Sequence, residues 1–246
     1  MTQHNPSPLN PLVSLIIPVY NEEDNLLVLL EEIRKAMAMQ SRTWEALFID
    51  DGSRDGSLHI LRNLAAQEPR LRYIAFEENK GQSAAFAAGF QEARGDIFVT
   101  LDSDLQNDPA DIPRLLDVYD QEYDMVIGWR AKRQDTFVKR MSSRIANAIR
   151  NRLSREMVKD TGCSLKVLQA SLARRLPMFT GMHRFFPTLM KMQKARVAEV
   201  KVNHRPRLHG KSKYGVWDRA FSAFYDLLAV RWMQARHFTY CIKERK

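Results

Sequence analysis

The sequence predicts an α/β fold, a mainly parallel sheet with helices on both of its faces. Short apolar runs alternate with amphipathic stretches of about 10 to 15 residues, which is the signature of βαβ units. The second of these runs goes straight into Asp50-Asp51-Gly52-Ser53, as a strand does where it meets a loop. With 246 residues the chain is long enough for one large domain with a substantial core, and no internal repeat divides it.

Residues 1–11 are rich in Pro, Asn and Ser and lack an apolar segment, so they read as a disordered tail rather than a leader. Leu12 to Val19 is a continuous apolar run ending in Pro18-Val19-Tyr20-Asn21-Glu22, a buried strand stopped by turn residues. Leu26, Leu29, Leu30, Ile33 and Met37 then recur at helical spacing. Glu22, Glu23 and Asp24 are expected in the first turn of that helix, where negative charge complements the dipole. Ala46 to Ile49 is the second strand, and Asp55 is expected to cap a helix carrying Leu58, Leu61 and Leu64. The alternation continues with a strand over 71–76, a helix over 81–93 and a strand over 96–101. A helix over 110–119 and a strand over 125–129, ending at Arg130, complete it.

Beyond residue 130 the pattern changes. Residues 138–153 place Met141, Ile145, Ile149 and Leu153 four apart among Lys139, Arg140, Arg144, Arg150 and Arg152, which predicts a basic amphipathic helix. A strand over 163–167, a helix over 183–194 and a strand over 197–202 lead to a second long helix over 216–236. That helix is rich in aromatics: Trp217, Phe221, Phe224, Tyr225 and Trp232. An ordinary surface helix is the commoner fate of such stripes, but dense arginine beside apolar residues favours a membrane-surface role. No stretch reaches the roughly 18 apolar residues of a membrane span.

Charge divides the chain in the same place. Residues 1–128 hold 10 Lys/Arg and 22 Asp/Glu, whereas residues 129–246 hold 28 and 7, so a net −12 precedes a net +21. An acidic half suited to a cation is followed by a basic half that must face something anionic. Cys163 and Cys241 are far apart and outside any His-containing cluster, so buried thiols are expected rather than a zinc site or a disulfide.

Two phosphate-binding motifs are absent. No G-x-G-x-x-G follows the first strand, and Gly210-Lys211-Ser212 lacks the upstream glycine of a Walker A loop because Arg205 stands there. What remains is a series of carboxylates at strand ends, Asp50 and Asp51 after the second strand and Asp102 and Asp104 after the fourth. In a parallel sheet these ends share one edge, where open α/β sheets bind ligands. Two carboxylates two residues apart, with Gln106 nearby, suit Mg²⁺ or Mn²⁺, which take oxygen ligands together with substrate phosphates. Alone, a D-x-D triplet is more often a turn or a helix cap, and Asp108-Pro109 reads as a helix start.

The ordered series PVYNEEDNL, IDDGSRDGS, KGQSAAFAAGF, LDSDLQNDPADIP, GWR, DTGCSLKV and RPRLHGKSKYG resembles the family 2 glycosyltransferases. The resemblance covers about residues 12–215 and is to the polyprenyl-phosphate, dolichol-phosphate-mannose-synthase-like branch. It implies a glycosyltransferase A (Rossmann-like) fold for a catalytic domain over 12–215, followed by an amphipathic membrane-associating segment over 216–246. It implies that Pro18, Tyr20, Glu22 and Asp51 hold the nucleotide base and ribose, with Gly81 in the same substrate-binding set. Asp104 and Gln106 become the metal ligands and Asp102 lies close to the donor. Arg130, Arg140, Arg207 and Lys213 become cationic contacts to the donor diphosphate or the acceptor phosphate, with Arg130 and Arg207 in the catalytic set alongside Asp102 and Asp104. His209 stands where some relatives carry Arg or Tyr, and a loop role is favoured for it.

The activity so implied is metal-dependent, inverting transfer of a sugar from a UDP- or GDP-linked donor to a polyprenyl phosphate, serving cell-envelope glycan or lipid modification. The expected partner is an anionic membrane surface at the cytoplasmic face, the protein being either a peripheral enzyme or the catalytic partner of a separate integral membrane protein. The main alternative is transfer to a polysaccharide or other hydroxyl, which would need a general base, Asp160 or Asp135. Nucleic-acid binding by the basic half is ranked last, since no recognition motif accompanies the charge.

Overall fold

The computed structural model describes residues 11–131, 158–206, 216–238 and 244, with backbone alone over 216–223. The helix expected over 138–153, the residues Arg140, Arg207, His209 and Lys213, and also Asp135 and Cys241, lie outside the described residues.

Seven strands form one sheet in the order β3-β2-β1-β4-β6-β5-β7. They are β1 (Val13–Val19), β2 (Trp44–Asp50), β3 (Leu71–Ala75), β4 (Ile97–Thr100), β5 (Met125–Trp129), β6 (Lys166–Gln169) and β7 (Val197–Lys201). All run parallel except β6, which is antiparallel to both β4 and β5. From β1 the chain winds outward through β2 to β3, then returns to place β4 on the other side of β1. That reversal makes a topological switch point between the carboxyl ends of β1 and β4, the usual position of a ligand crevice.

Both faces of the central strands are covered, so side chains that alternate along each strand enter two separate cores. Val13, Leu15, Ile17, Phe48, Val99, Val126 and Val167 face a core with α1 (Leu26–Ala38), α2 (Ser57–Gln67) and α4 (Ile112–Tyr119). Ile16, Leu47, Ile49, Phe98, Ile127 and Leu168 face the other core. There they meet α3 (Gln82–Glu92), α5 (Ala170–Ala173), α6 (Phe186–Met192) and α7 (Val216–Arg236). Phe90 stacks on Phe98 at 5.5 Å and meets Phe186 at 5.4 Å, tying α3 and α6 to the sheet. α3 comes this close to β1 because position 89 is glycine: a Cβ there would lie 2.3 Å from Ile16 Cγ2.

Several expected boundaries shift. Glu22, Glu23 and Asp24 precede α1 instead of forming its first turn, since Asn25 is the N-cap and the helix starts at Leu26. Asp55 acts one position ahead of the α2 N-cap, Gly56, accepting from the Ser57 amide at 2.9 Å. The strand expected over 163–167 is instead β6 at Lys166–Gln169, because 160–165 is drawn into loop contacts with β4. The helix expected over 183–194 divides into a 3₁₀ turn, Met182–Phe185, and α6, with Pro187 in the first turn of the new helix, where its missing N–H is harmless. Likewise Pro109–Asp111 is a 3₁₀ turn that precedes α4, and Asp108 caps it by accepting from the Ala110 amide.

Candidate active site

Strand register collects most of the expected site residues at one edge. Val19 pairs with Asp50, Ile16 with Thr100, and Lys166 with both Thr100 and Ile127, so the ends of β1, β2, β4 and β5 and the start of β6 are neighbours. Pro18, Tyr20, Asp51, Asp102, Asp104, Gln106 and Arg130 therefore come together there from separate parts of the chain. The switch point itself is bridged: Ser103, between the two aspartates, donates from Oγ to the Pro18 carbonyl at 2.9 Å.

On the β2 side Asp51 is buried and organises the next loop. Its carboxylate accepts from the Lys80 amide at 2.7 Å, the Gly81 amide at 2.9 Å and Asn79 Nδ2 at 2.9 Å. Burial nevertheless leaves its pKa above the usual carboxylate range. Gly81 adopts φ 87°, a left-handed conformation natural to glycine, and starts α3 directly over the crevice. Glu22 is turned toward the α1–α2 junction: its amide donates to Ser57 Oγ at 2.9 Å and its carboxylate accepts from Asn25 Nδ2 at 2.6 Å.

The acidic wall is residues 101–108. Asp102 accepts from Gln82 Nε2 at 2.6 Å, and Asp104 Oδ1 accepts from the Gln106 amide at 3.1 Å across Leu105. Leu105 is held at φ 59°, a costly conformation for a branched residue and one that concentrates at functional sites. Burial, and then the neighbouring Asp104 charge, push the Asp102 pKa up to about 6. Two crowded carboxylates with Gln106 beside them fit a hard divalent cation. They supply fewer ligands than a closed cage, and Mg²⁺ or Mn²⁺ characteristically completes such a shell with substrate phosphate.

Opposite stands a cationic wall that sequence reasoning read only in part. Arg130 donates from Nε and Nη2 to the two oxygens of Asp160 at 2.7 and 2.9 Å, and both side chains are largely buried. Lys166, the first residue of β6, is fully enclosed, donates to the Cys163 carbonyl and has its pKa lowered by burial. Its charge and that of Arg130 both act to lower the Asp102 pKa. The loop between them is stitched to the acidic wall. Thr100 Oγ1 donates to the Ser164 carbonyl at 2.6 Å, Asn107 Nδ2 donates to Ser164 Oγ at 2.6 Å, and the Ser164 hydroxyl also bonds Asp102. Cys163 is an enclosed thiol whose pKa burial pushes up to about 11, so it is inert. A lysine within the otherwise apolar run Leu165-Lys166-Val167-Leu168 was the available signal for Lys166. Gln82 and Ser164 carry no comparable signal.

A model of the family described as glycosyl transferase family 2 matches residues 14–178. The chain belongs to that family. This family 2 member is 38% identical over 223 residues to a dodecaprenyl-phosphate galacturonate synthase of Rhizobium johnstonii, covering 89% of this chain and 66% of the relative. It is 39% identical over 218 residues to an undecaprenyl-phosphate 4-deoxy-4-formamido-L-arabinose transferase of Edwardsiella ictaluri, covering 88% and 66%. The chain thus spans about two thirds of the length of these relatives.

Among solved structures it resembles glucosyl-3-phosphoglycerate synthase of Mycobacterium tuberculosis in complex with Mn²⁺, UDP-glucose and phosphoglyceric acid. The TM-score is 0.67 at 16% identity, covering 93% of this chain and 81% of that one. A mannosyltransferase of Pyrobaculum calidifontis in complex with GDP-mannose and Mn²⁺ gives 0.62 at 19%, covering 95% and 66%. These likenesses establish the glycosyltransferase A fold of this family 2 member.

Proposed function

We propose that this edge transfers a sugar, with inversion, from a nucleotide-diphosphate sugar to a polyprenyl phosphate. The observation that carries the reading is the meeting of the Asp102–Asp104 wall with the buried cations Arg130 and Lys166 at the β1/β4 switch point, in a chain whose relatives are named for polyprenyl-phosphate sugar transfer. Asp104 and Gln106 hold Mg²⁺ or Mn²⁺, and Asp102 lies beside the donor. A cation held there would supply Lewis-acid neutralisation of the departing diphosphate. Pro18, Tyr20, Glu22 and Asp51 are assigned to the base and ribose. Arg130 stabilises charge as it develops on the leaving group, while Arg140, Arg207 and Lys213 are assigned to donor or acceptor phosphates.

The acceptor is a phosphate monoester with a second pKa of about 6, already largely dianionic at neutral pH, so no strong base is needed. Asp160 bears on the rival hydroxyl acceptor: with both carboxylate oxygens engaged by Arg130 it is poorly placed to take a proton. Attachment to the cytoplasmic membrane face is assigned to α7. Leu227 and Val230 seat one side of that helix in the core, while Phe224, Tyr225, Leu228 and Trp232 are exposed on the other. No helix among the described residues is long and apolar enough to cross a membrane. An integral membrane protein as partner belongs to the same proposal.

The test is nucleoside-diphosphate release from a panel of UDP- and GDP-sugars, with and without a short polyprenyl phosphate. Strong stimulation by the lipid phosphate with one donor is expected. Turnover that ignores the lipid would remove the acceptor assignment.

A further inference from the structure

We infer that Asp160 is a positioning residue for the sugar-transfer step, acting only through Arg130 and not as a proton acceptor. The inference deepens the function proposed above and rests on its donor assignment.

Arg130 is the first residue past β5, with several rotatable bonds between its charge and the sheet. Left to itself, so long a side chain would sample many orientations. Here three donors of one residue converge on one carboxylate. Nε and the main-chain amide reach Oδ2 at 2.7 and 3.3 Å, and Nη2 reaches Oδ1 at 2.9 Å. Such a forked contact fixes the guanidinium plane as well as its distance. Among the described residues, Asp160 engages Nε and one Nη2 hydrogen, so the contact itself does not use Nη1 or the second Nη2 hydrogen. Arg130 is close enough to Asp102 for the two charges to affect each other's ionisation, which places it beside the proposed diphosphate position.

Asp160 is itself held in place. The Cys163 amide donates to its carbonyl at 3.4 Å, closing a turn over Thr161 and Gly162. The end of that turn is anchored to the acidic wall through Ser164. The turn also passes directly over the ion pair: a Cβ on Gly162 would lie 3.3 Å from Arg130 Nη2 and 3.6 Å from Asp160 Oδ1. A buried ion pair adds little net stability once desolvation is counted, so its contribution here is orientation. Protonating Asp160 would weaken its charged hydrogen bonds and leave the buried Arg130 guanidinium without a counter-charge, which disfavours it as a base.

The test is a double-mutant cycle with neutral, near-isosteric changes, Arg130→Gln, Asp160→Asn and the double variant; each single change leaves one buried charge without its partner and the double variant removes both. Nucleoside-diphosphate release is read on the full chain, and thermal unfolding verifies each variant's fold. Arg130→Gln is expected to lower kcat about 100-fold or more, the scale for loss of one donor to a developing anion. Asp160→Asn should lower kcat with donor KM nearly unchanged, and the double variant should be no worse than Arg130→Gln. The acid limb of the pH–rate profile should survive in Asp160→Asn. Gly162→Ala, which removes no charge, should also lower kcat by crowding the guanidinium.

Multiplying effects in the double variant, or loss of the acid limb in Asp160→Asn alone, would overturn the positioning role and make Asp160 an independent acid–base group. A wild type that turns over no nucleotide sugar would instead sink the donor reading, and this one with it. Normal donor turnover with additive losses sinks this one alone.

Discussion

The two walls of the crevice handle charge in opposite ways. On the acidic wall, Asp102 and Asp104 crowd one another, and burial with that repulsion raises Asp102 to about 6. Across from it, Arg130 is neutralised by Asp160, and Lys166 is enclosed against a carbonyl. One wall crowds like charges together, and the other holds its guanidinium fixed against a carboxylate. For the proposed transfer that difference is useful: crowded negative charge would attract a metal, and fixed positive charge would need no rearrangement when an anionic leaving group departs.

Removing the acidic wall should have the largest effect. Asp104→Ala is expected to lower turnover by about 1000-fold or more while leaving vesicle association intact, since the change acts on the leaving group's cation. Near wild-type release of nucleoside diphosphate by this variant would mean the metal lies elsewhere.

A smaller change tests the coupling between the walls. Lys166→Met removes a charge that favours ionised Asp102, so the Asp102 pKa should rise above its present value of about 6. Because a carboxyl with a raised pKa is charged only above that pKa, Mn²⁺ affinity in the wild type should hold at pH 7.5 and fall as pH drops through about 6. In Lys166→Met the fall should begin at higher pH. Calorimetric titration with Mn²⁺ across that range measures it, and superimposable profiles would show that the walls are uncoupled.

The smallest effect at the crevice is expected from α7, which belongs to neither wall. Trp232 and Phe224 are 64% and 52% exposed, and replacing both with Ser should weaken cosedimentation with anionic vesicles severalfold. Undiminished sedimentation would return that stripe to the ordinary helix surface.

Much of the acidic wall was legible because strand ends announce themselves. Apolar runs stop at Asp50 and at Thr100-Leu101-Asp102, and a parallel sheet must gather such ends at one edge. Glu22 follows β1 closely in sequence, and its contacts to Asn25 and Ser57, which its position after β1 did not announce, come from the packing of α1 against α2. Asp51 sits where it was expected, but its hydrogen bonds to residues 79–81 were invisible because they join segments about thirty residues apart. The short contact from Gln82 to Asp102 was hidden for a similar reason: it depends on how α3 is seated on the sheet, and close packing at Gly89 decides that.

By itself the sequence determined the local elements and the chemistry available at their ends, since the period of apolar residues and the residues that stop each run are local properties. The family resemblance was also carried there, by the order of its motifs. Apart from Arg130, the second wall was decided by tertiary structure. β6 enters antiparallel between β4 and β5 and brings Lys166 and the Asp160 loop to the edge where the other strands end. Alternation along a strand is the same read in either direction, so nothing in its pattern distinguishes a strand that leaves this edge from one that arrives there.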